Sequence, residues 1–506
     1  FCGSASFVES GVTRSLLASL LLGLLSASAS AGPTPFTPAD ADRAAAEAIK
    51  EWGVPGAVLV VVRDGKTIVA KGYGVRKHGI PDAVDSDTLF PLASGTKAFT
   101  SAVLASLVDD GKLGWDDPVR KHLPTFRLSD PRADALVTVR DLVTHRTGVA
   151  RHDLLLFHAP WDRAELIRRI GKLPLAGEFR GSYWYNSLLF AAAGQVAANR
   201  GDAGWEELVR DRLVTPLGMT GVAITPEEQR AAKNRATGHT RGADGTPTPV
   251  AWYTEHEPNP SNSICATAND LPAWLNFQLA DGTHAGKRLV SAANLRETKT
   301  PQTPMRIDDG LRDAYPDTVQ ASYAMGWVVY DHRGRHVVGH GGAIDGFRGQ
   351  FTLLPKDKVG IAVLTNLAGT RMTNALTNTL IDRLCGLEPK DWNPYFRKLD
   401  DTDLAAKKAA TEKRDRDRKP DVKPSVSVDA FAGEYAHPAY GTAKVKVADG
   451  KLVWEWSSFR LPLEHWEADA FRIRDGLLAG EFVTFETADG AVSALTAISV
   501  RFAKSK

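Results

Sequence analysis

The spacing of apolar residues changes several times along the chain, and each change marks a predicted element. Residues 38–52 are rich in alanine, with a proline and aspartates at the front, which predicts an amino-terminal helix. Two β-branched runs follow at residues 57–63 and 66–70, with Asp64-Gly65 between them. Because Asp-Gly adopts the tight turns that join antiparallel strands, this stretch predicts a β-hairpin.

Helical spacing returns at residues 98–107, and residues 137–286 mix helical stretches with Pro- and Gly-rich loops. Late in the chain, strand-like apolar runs precede a helix predicted over residues 371–384; the runs are residues 337–339, 351–354 and 360–365. Strands at both ends of a domain with helices between them predict an α+β fold. Its antiparallel sheet would unite distant parts of the sequence.

The end of the chain has a different pattern. Residues 399–425 are dense in charges of alternating sign, which predicts a solvated helix running into a linker. Residues 426–506 contain short alternating strands around Asp-Gly turns, which predicts a small all-β module. The predicted organisation is therefore a domain over residues 36–398, the linker and the module.

The first thirty residues have the pattern of a segment that is removed. A positive charge at Arg14 precedes a short apolar run over residues 16–25, and small residues follow up to Ala31. A run of this length is too short to span a bilayer. We therefore expect a leader and signal peptide over residues 1–31, export to the periplasm or the exterior, and no membrane span after its removal. A buried amino-terminal helix is the alternative.

Composition excludes several classes of function. The 506 residues include 62 basic and 60 acidic side chains, a formal net charge of +2, so nucleic acid is not expected as a partner. Three cysteines, Cys2, Cys265 and Cys385, are too few for a disulfide scaffold and have no zinc-binding spacing. Without the leader, Cys265 and Cys385 either form one bridge or remain buried thiols, and the thiols are the prediction.

One short motif carries candidate chemistry. Ser94-Gly-Thr-Lys97 is an S-x-x-K sequence just before the helix predicted at residues 98–107, whereas the sequence has no G-x-S-x-G elbow and no H-E-x-x-H zinc motif. Residues three apart share one face of a helix, so the Lys97 amine can lie beside the Ser94 hydroxyl and help to deprotonate it. A helix-capping serine with a solvent-facing lysine is the structural alternative.

The surrounding sequence resembles a known family. Residues 88–149 contain TLFPLASGTKAFTSAVLASLVDDGKLGWDDPVRKHLPTF and then VTVRDLVTHRTGV, and spaced motifs up to Asn366 agree in order with the β-lactamase-related serine hydrolases. That family includes class C β-lactamases, DD-peptidases, D-amino-acid amidases and β-lactamase-like carboxylesterases. The resemblance implies a β-lactamase/transpeptidase-like domain, an antiparallel sheet flanked by helices, with Ser94 as the acylated nucleophile and Lys97 beside it.

The resemblance also implies a general base. The family's second motif is Tyr-x-Asn, and the matching stretch is Tyr185-Asn186-Ser187, with Tyr185 at the base position. Ser187 stands where an asparagine normally holds a substrate amide, and a hydroxyl offers a shorter contact with a single donor. This departure favours a substrate other than a β-lactam. Tyr183 offers a competing alignment two residues earlier.

The family's third motif, Lys-Thr-Gly, is replaced by His340-Gly341-Gly342. The His-x-Gly variant resembles the peptidase and esterase branches, and here His340 would orient a substrate carboxylate or help to position Tyr185 electrostatically. The paired glycines would let a substrate backbone approach closely. By the same resemblance, the backbone amides of Ser94 and Ala343 would form an oxyanion hole.

Other stretches match the family without evident chemistry. Residues 262–270 resemble a segment that begins a helix beside the site, with Asp270 as its expected cap, and His145 is expected to be a structural hydrogen-bonding residue. In the module, residues 431–441 resemble the lipocalin-like β-barrel that follows some of these hydrolases. That resemblance implies a role in substrate access or assembly, and a barrel with no catalytic role is the alternative.

Together these features predict a serine hydrolase that acts through an acyl-Ser94 intermediate and needs no metal or organic cofactor. We expect a carboxylesterase first, because small activated esters need few specific contacts; the predicted substrates are small-molecule esters or short peptides. A D-aminopeptidase, DD-peptidase or β-lactamase is the first alternative. A non-catalytic sensor that binds cell-wall peptide is the second.

Overall fold

The structure, a computed structural model, describes residues 36–242, 244–252 and 256–505. The predicted leader and signal peptide at residues 1–31 lie outside the described residues. Within the described ranges, no helix combines the length and the apolar composition that crossing a bilayer requires. In the same part of the chain, Cys265 and Cys385 are both reduced thiols, as predicted.

The strands of the described chain form one large sheet, three two-stranded sheets and a closed barrel. In chain order they are β1 (Gly56–Arg63), β2 (Lys66–Lys77), β3 (Ile80–Ala83), β4 (Phe90–Pro91), β5 (His239–Arg241), β6 (Pro247–Pro249), β7 (Cys265–Ala266), β8 (Thr283–His284), β9 (Lys287–Arg288), β10 (Thr303–Met305), β11 (Ala321–Tyr323), β12 (Val328–His332), β13 (Arg335–Ile344), β14 (Phe347–Leu354), β15 (Val359–Thr365), β16 (Gly433–His437), β17 (Gly441–Ala448), β18 (Lys451–Trp456), β19 (Phe459–Glu467), β20 (Ala470–Ile473), β21 (Phe482–Ala488), β22 (Ala491–Ala497) and β23 (Val500–Lys504). The large sheet has the order β10-β11-β12-β13-β14-β15-β1-β2-β3, and β16 to β23 close the barrel.

Helices cover both faces of the large sheet. They are α1 (Pro38–Trp52), α2 (Thr96–Asp109), α3 (Val119–His122), α4 (Pro131–Leu136), α5 (Val139–Val143), α6 (Arg163–Ile170), α7 (Leu188–Gly201), α8 (Trp205–Val209), α9 (Pro226–Ala231), α10 (Leu271–Leu279), α11 (Ala292–Glu297), α12 (Asp309–Ala314), α13 (Met372–Leu384) and α14 (Trp392–Asp417). The helices α1, α13 and the start of α14 pack on one face, and α2, α7 and α10 lie on the other.

The centre of the sheet pairs strands from opposite ends of the first domain. The predicted hairpin forms between β1 and β2, and β1 pairs on its other side with β15, so that Ala57 lies opposite Thr365. Every residue of β15 is buried, as is all of β1 except Arg63. A strand covered on both faces is apolar along its whole length rather than at alternate positions. The predicted α+β fold with an antiparallel sheet flanked by helices is confirmed.

The predicted all-β module is confirmed as the closed barrel. Burial alternates along β17, with Ala443 and Val445 inside and the lysines between and after them exposed. Aromatic side chains fill the interior, where the ring centres of Phe431 and Phe471 lie 4.6 Å and 5.6 Å from that of Phe485. The likeness of this barrel to lipocalins stays a prediction.

The barrel and the first domain share one continuous apolar core. The Tyr440 hydroxyl of the barrel lies 2.9 Å from His152 Nδ1 of the first domain, and the ring centre of Trp161 lies 6.1 Å from that of Trp456. The helix α14 connects the two parts and crosses the predicted boundary at residues 398–399 without a break. The domain limits themselves stay a prediction.

Candidate active site

Ser94 lies in a 3-10 turn, Ala93–Gly95, that leads directly into α2. The residue before it, Ala93, has a φ of 48°, in the left-handed region that costs a residue with a Cβ about 1–2 kcal/mol. A Cβ on Gly95 would lie 2.5 Å from the ring of Phe351. A strained residue on one side and a required glycine on the other therefore hold the serine at the start of the helix.

Lys97 is fully buried, and its ammonium lies among three oxygen atoms. The Nζ atom is 3.2 Å from Ser94 Oγ, 3.3 Å from Ser187 Oγ and 3.1 Å from the Ser261 carbonyl oxygen. An ammonium has three hydrogens, so these contacts can use all of its donors. The contact predicted from helical spacing is present, and the lysine does not face solvent.

Tyr185 completes the group around the serine. Its hydroxyl lies 2.9 Å from Ser94 Oγ. The Nζ atom of Lys97 lies 5.0 Å from the centre of the Tyr185 ring, and the guanidinium of Arg151 lies 5.3 Å from it. Two cations therefore flank the phenol, and their field attracts negative charge to this position.

Asn186 orients the residues on both sides of it. Its buried side-chain amide donates to the carbonyl of Ala150 at 2.5 Å, and its backbone N–H donates to Nδ1 of His145 at 3.1 Å. These bonds fix the chain where Tyr185 and Ser187 turn toward the serine and the lysine. Sequence reasoning missed this role, because Asn186 occupies the middle position of the Tyr-x-Asn motif, to which the resemblance assigns no function.

An aromatic cluster packs behind the Tyr185 ring. The ring centre of His145 lies 4.4 Å from that of Tyr185 and 4.2 Å from that of Tyr323. Burial lowers the pKa of His145 well below its usual value, and the charge of Lys97 adds to the effect. His145 is thus a neutral structural residue, as predicted. The ring of Tyr183 packs against those of His145 and Tyr323, so Tyr185 is the tyrosine at the serine.

His340 lies on β13 with both ring nitrogens engaged. The Nδ1 atom is 2.6 Å from the carbonyl oxygen of Gly341, and Nε2 is 3.1 Å from the hydroxyl of Tyr323. A carbonyl only accepts, so Nδ1 carries the proton and Nε2 accepts from the tyrosine. Burial lowers the pKa of His340 to about 3, and the charge of Lys97 contributes. Two roles are predicted for His340, positioning Tyr185 and orienting a substrate carboxylate. A neutral ring with both nitrogens already engaged favours the first.

Gly342 lets the end of β13 approach the turn that carries Ser94. A Cβ on Gly342 would lie 2.5 Å from the carbonyl oxygen of Leu92, whereas one on Gly341 would lie 3.5 Å from its nearest neighbour. The close approach therefore depends on the second glycine of the predicted pair. It brings Ala343, the next residue, alongside the serine turn, where the oxyanion amides are expected.

The side chain of Asp270 does not cap α10, although the residue occupies the predicted cap position. Asp270 stands at the N-cap position of α10, but its carboxylate accepts from the backbone and hydroxyl of Thr267 and from the N–H of Gly221. The second residue of α10 is Pro272, which has no N–H to be capped. The carboxylate instead ties two loops together beside the site.

A cleft of about 820 Å³ opens beside Ala343. Its walls are largely apolar and come from both parts of the molecule; they include Phe157, Trp252, Ile344, Phe347 and, from the barrel, Leu477. The side chain of Leu477 is 56% exposed. The barrel thus contributes to the wall of a cleft that Ala343 also lines.

This arrangement can activate and acylate a hydroxyl. Ser94 Oγ has a phenol on one side and an ammonium on the other, both within hydrogen-bond reach. A nucleophile in contact with a base that a further group holds in place is the geometry of covalent catalysis. Within the described ranges, no three side chains among His, Cys, Asp and Glu are grouped to hold a metal ion.

Comparison with known proteins divides the chain into two matches. Residues 41–385 match the Beta-lactamase family, and residues 417–504 match a family described as a domain of unknown function, DUF3471.

Similar proteins span most of the chain. Unguisins hydrolase ungD' from Aspergillus campestris is 29% identical over 79% of this chain and 76% of its own. Penicillin-binding protein 4 from Amycolatopsis lactamdurans is 30% identical over 67% of this chain and 87% of its own. The structure of an octameric penicillin-binding protein homologue from Pyrococcus abyssi shares the fold, with a TM-score of 0.60, 21% identity and coverage of 92% of this chain and 99% of that one. The family match covers most of the chain, and the protein therefore belongs to the Beta-lactamase family, whose members are serine hydrolases.

Proposed function

We propose that this protein is a carboxylesterase in which Ser94 becomes acylated. The observation that carries the proposal is the position of Ser94 Oγ, 2.9 Å from the Tyr185 hydroxyl and 3.2 Å from Lys97 Nζ. A serine hydroxyl is a weak nucleophile until a neighbouring base takes its proton. Here the proposed base, Tyr185, and the side chain of Lys97 both contact Ser94 Oγ.

In the acylation step, Tyr185 takes the proton of Ser94 while the serine oxygen forms a bond to the ester carbonyl carbon. Lys97 and Arg151 keep positive charge beside the phenol. The carbonyl oxygen becomes an oxyanion that accepts from the backbone amides of Ser94 and Ala343. Tyr185 then returns the proton to the leaving alcohol as the bond between the carbonyl carbon and the alcohol oxygen breaks.

In the deacylation step, Tyr185 takes a proton from a water molecule that attacks the acyl carbonyl. The carboxylic acid leaves, and Ser94 recovers its proton from Tyr185. The same residue thus serves as base toward the nucleophile and acid toward the leaving group in both halves of the reaction.

Ser187 supports an ester rather than a β-lactam as the substrate. Its buried hydroxyl lies 3.3 Å from Lys97 Nζ and is engaged within the site. An asparagine at this position would offer both a carbonyl and an amino group to a substrate amide, whereas the serine offers one donor. The apolar cleft beside Ala343 also suits the hydrocarbon part of an ester.

Cleavage of peptide amides is the second candidate. It is favoured by the part of β13 beyond Gly339, which β12 leaves unpaired. This unpaired stretch offers backbone groups to which an extended peptide can bond.

Hydrolysis of p-nitrophenyl butyrate and of D-alanyl p-nitroanilide by the wild type and by Ser94→Ala tests the proposal. We expect ester turnover well above amide turnover, and a loss of roughly 10³-fold or more in kcat for the variant. Comparable or faster amide turnover would support the second candidate. Full activity in Ser94→Ala would overturn the assignment of the nucleophile, and a stable acyl adduct without turnover would indicate the sensor.

A further inference from the structure

A second cavity, of about 610 Å³, lies beside the edge strand of the large sheet. Thr303 and Met305 of β10 form part of its wall, and β10 stands at the end of the sheet order, where it pairs only with β11 among the described strands. Ser94, Lys97 and Tyr185 do not line it. Small-molecule sites commonly have volumes of about 300–1,000 Å³, so this cavity has the size to hold an organic ligand.

The wall of this cavity is rich in positive charge. Three arginines line it, Arg146, Arg180 and Arg306. Among the described lining residues the one carboxylate is that of Asp308, which caps α12 and accepts from the N–H of Leu311 at 3.0 Å. The described lining therefore has two more positive charges than negative ones.

A carboxylate behind the wall holds two of these arginines in place. The side chain of Asp141 is fully buried and lies 2.5 Å from Arg146 Nε and 2.6 Å from Arg180 Nη2. It balances one of the two excess charges and leaves one without a counterion within the described ranges. Because the two guanidinium groups are already fixed, a ligand that binds them loses little further side-chain entropy.

Several hydrogen-bond donors on the wall are not used by the described part of the protein. The Nη1 and Nη2 atoms of Arg146 bond to no described residue, and the guanidinium of Arg306 has neither a hydrogen bond nor an ion pair there. The hydroxyl of Tyr183, which also lines the cavity, is likewise without a partner in these ranges. Burial raises the pKa of Tyr183 well above its usual value, so the hydroxyl keeps its proton and can donate it.

The rest of the wall is partly apolar. The ring of Tyr183 and the side chains of Met305 and Leu311 are partly buried against the core, and Pro304 lies beside them. Guanidinium groups form charge-assisted, often bidentate hydrogen bonds with oxyanions, and apolar walls favour burial of a hydrocarbon group. A ligand that matches both kinds of wall has an anionic end and an apolar end.

We propose that this cavity binds an organic oxyanion, a carboxylate or a phosphate monoester that carries an apolar group. Arg146 and Arg306 bind the anionic end, and Tyr183 and Met305 contact the apolar end. The site is separate from Ser94, and the inference does not rest on the proposed esterase activity.

Titration of the whole protein, followed by ligand-observed NMR, tests the site. The probes are 4-phenylbutyrate, phenyl phosphate and the neutral 4-phenylbutan-1-ol. We expect at least one of the two anions to bind about tenfold more tightly than the alcohol, because only an anion completes the charge-assisted bonds. The tighter of the two anions identifies the head group. Equal affinity for the anions and the alcohol would overturn the proposal.

Variants locate the bound anion. Arg306→Gln should raise the Kd of the anion about two- to fivefold, because Arg306 is exposed. Arg146→Gln should raise it about 10- to 100-fold, the usual range for a hydrogen bond to a charged group. Arg146→Lys should restore part of the affinity, because it keeps the charge without the planar fork. Should Arg146→Gln fail to fold, Arg306→Gln still tests the site, since the described chain makes no contact through that guanidinium.

Arg132→Gln is the matched control. Arg132 is exposed on α4, whose Leu136 carbonyl accepts from Arg180, but it does not line the cavity. We expect its Kd to stay within twofold of the wild type, and an increase as large as in Arg306→Gln would contradict a specific site.

Esterase kinetics give an independent check on the position of the anion. Competitive inhibition of p-nitrophenyl butyrate hydrolysis, with an inhibition constant equal to the Kd and unchanged in Arg306→Gln, would place the anion at Ser94 and overturn the proposal. A wild type without esterase turnover would overturn the proposed function alone, because the binding measurements do not depend on it.

Discussion

The two buried histidines of the site, His145 and His340, act as neutral groups. His145 accepts a hydrogen bond from the backbone N–H of Asn186, and His340 accepts one from the Tyr323 hydroxyl. For both, burial is the largest cause of the lowered pKa, followed by the charge of Lys97. Burial thus keeps further positive charge away from a pocket that already holds an ammonium.

The neutrality of His340 predicts a loss of stability in acid. The folded residue takes up a proton only as the pH falls to about 3, while an unfolded histidine does so near pH 6.5. Between these values the unfolded state binds one more proton than the folded state. The contribution of His340 to folding stability is therefore fully present above about pH 6.5 and is lost as the pH falls toward 3. We expect the free energy of unfolding to decrease by about 1 kcal/mol per pH unit from this residue between pH 6 and 5. Urea unfolding should show a shallower slope for His340→Gln, and equal slopes would contradict the prediction.

At the scale of elements, the site depends on how closely β13 approaches the turn before α2. The two glycines of β13 differ in this respect, although the sequence presents them as a pair. A side chain on Gly342 would meet a backbone oxygen, which cannot move aside as a flexible side chain can, whereas Gly341 has space for a methyl group. The oxyanion geometry therefore depends on the second glycine more than on the first.

This difference predicts unequal effects of alanine. In Gly342→Ala the new Cβ would lie 2.5 Å from the Leu92 carbonyl oxygen and would force β13 away from the Ser94 turn. Misplacing one oxyanion donor costs about 2.7–4 kcal/mol, a loss of roughly 100- to 1,000-fold in kcat. Gly341→Ala is the control, and we expect it to retain at least ten times more activity than Gly342→Ala. Steady-state kinetics with p-nitrophenyl butyrate measures both, and similar losses would contradict the argument.

At the scale of the whole molecule, the barrel is joined to the hydrolase domain by a shared core rather than by a linker alone. Trp161 of the hydrolase domain contacts Trp456 of the barrel and donates its indole N–H to the Leu155 carbonyl at 2.7 Å. The barrel residue Leu477 also lines the cleft beside Ala343. Because the apolar contacts are continuous, we expect the two parts to unfold together.

Removing the shared aromatic contact should uncouple the two parts. Trp161→Ala deletes a partly buried ring at the boundary between the two parts. We expect this change to lower the free energy of unfolding by about 1–3 kcal/mol. Calorimetry should show one transition for the wild type and a separate, earlier barrel transition for the variant. Trp466→Ala is the control: this ring contacts Arg418 and Phe482, so the variant should lower the midpoint and keep a single transition. Two transitions in the wild type would contradict the prediction.

The sequence by itself determined the features that depend on local spacing. Lys97 lies three positions after Ser94, in the helix that continues from the Ser94 turn, so their contact follows from helical spacing alone. The Asp64-Gly65 hairpin and the alternating strands of the barrel follow equally from short-range patterns. Tyr185 was located through a motif resemblance, and the structure places it at the serine.

Only the tertiary structure decided which distant groups meet. The bond between Lys97 and Ser187 and the contact of His340 with Tyr323 both depend on packing between elements that are distant in sequence. The carboxylate of Asp270 likewise accepts hydrogen bonds from Gly221 and Thr267 in two loops instead of capping α10. Local spacing restricts a side chain to one face of its own helix or strand, but the atoms that it meets there belong to elements far away in sequence, so only the packed fold sets those contacts.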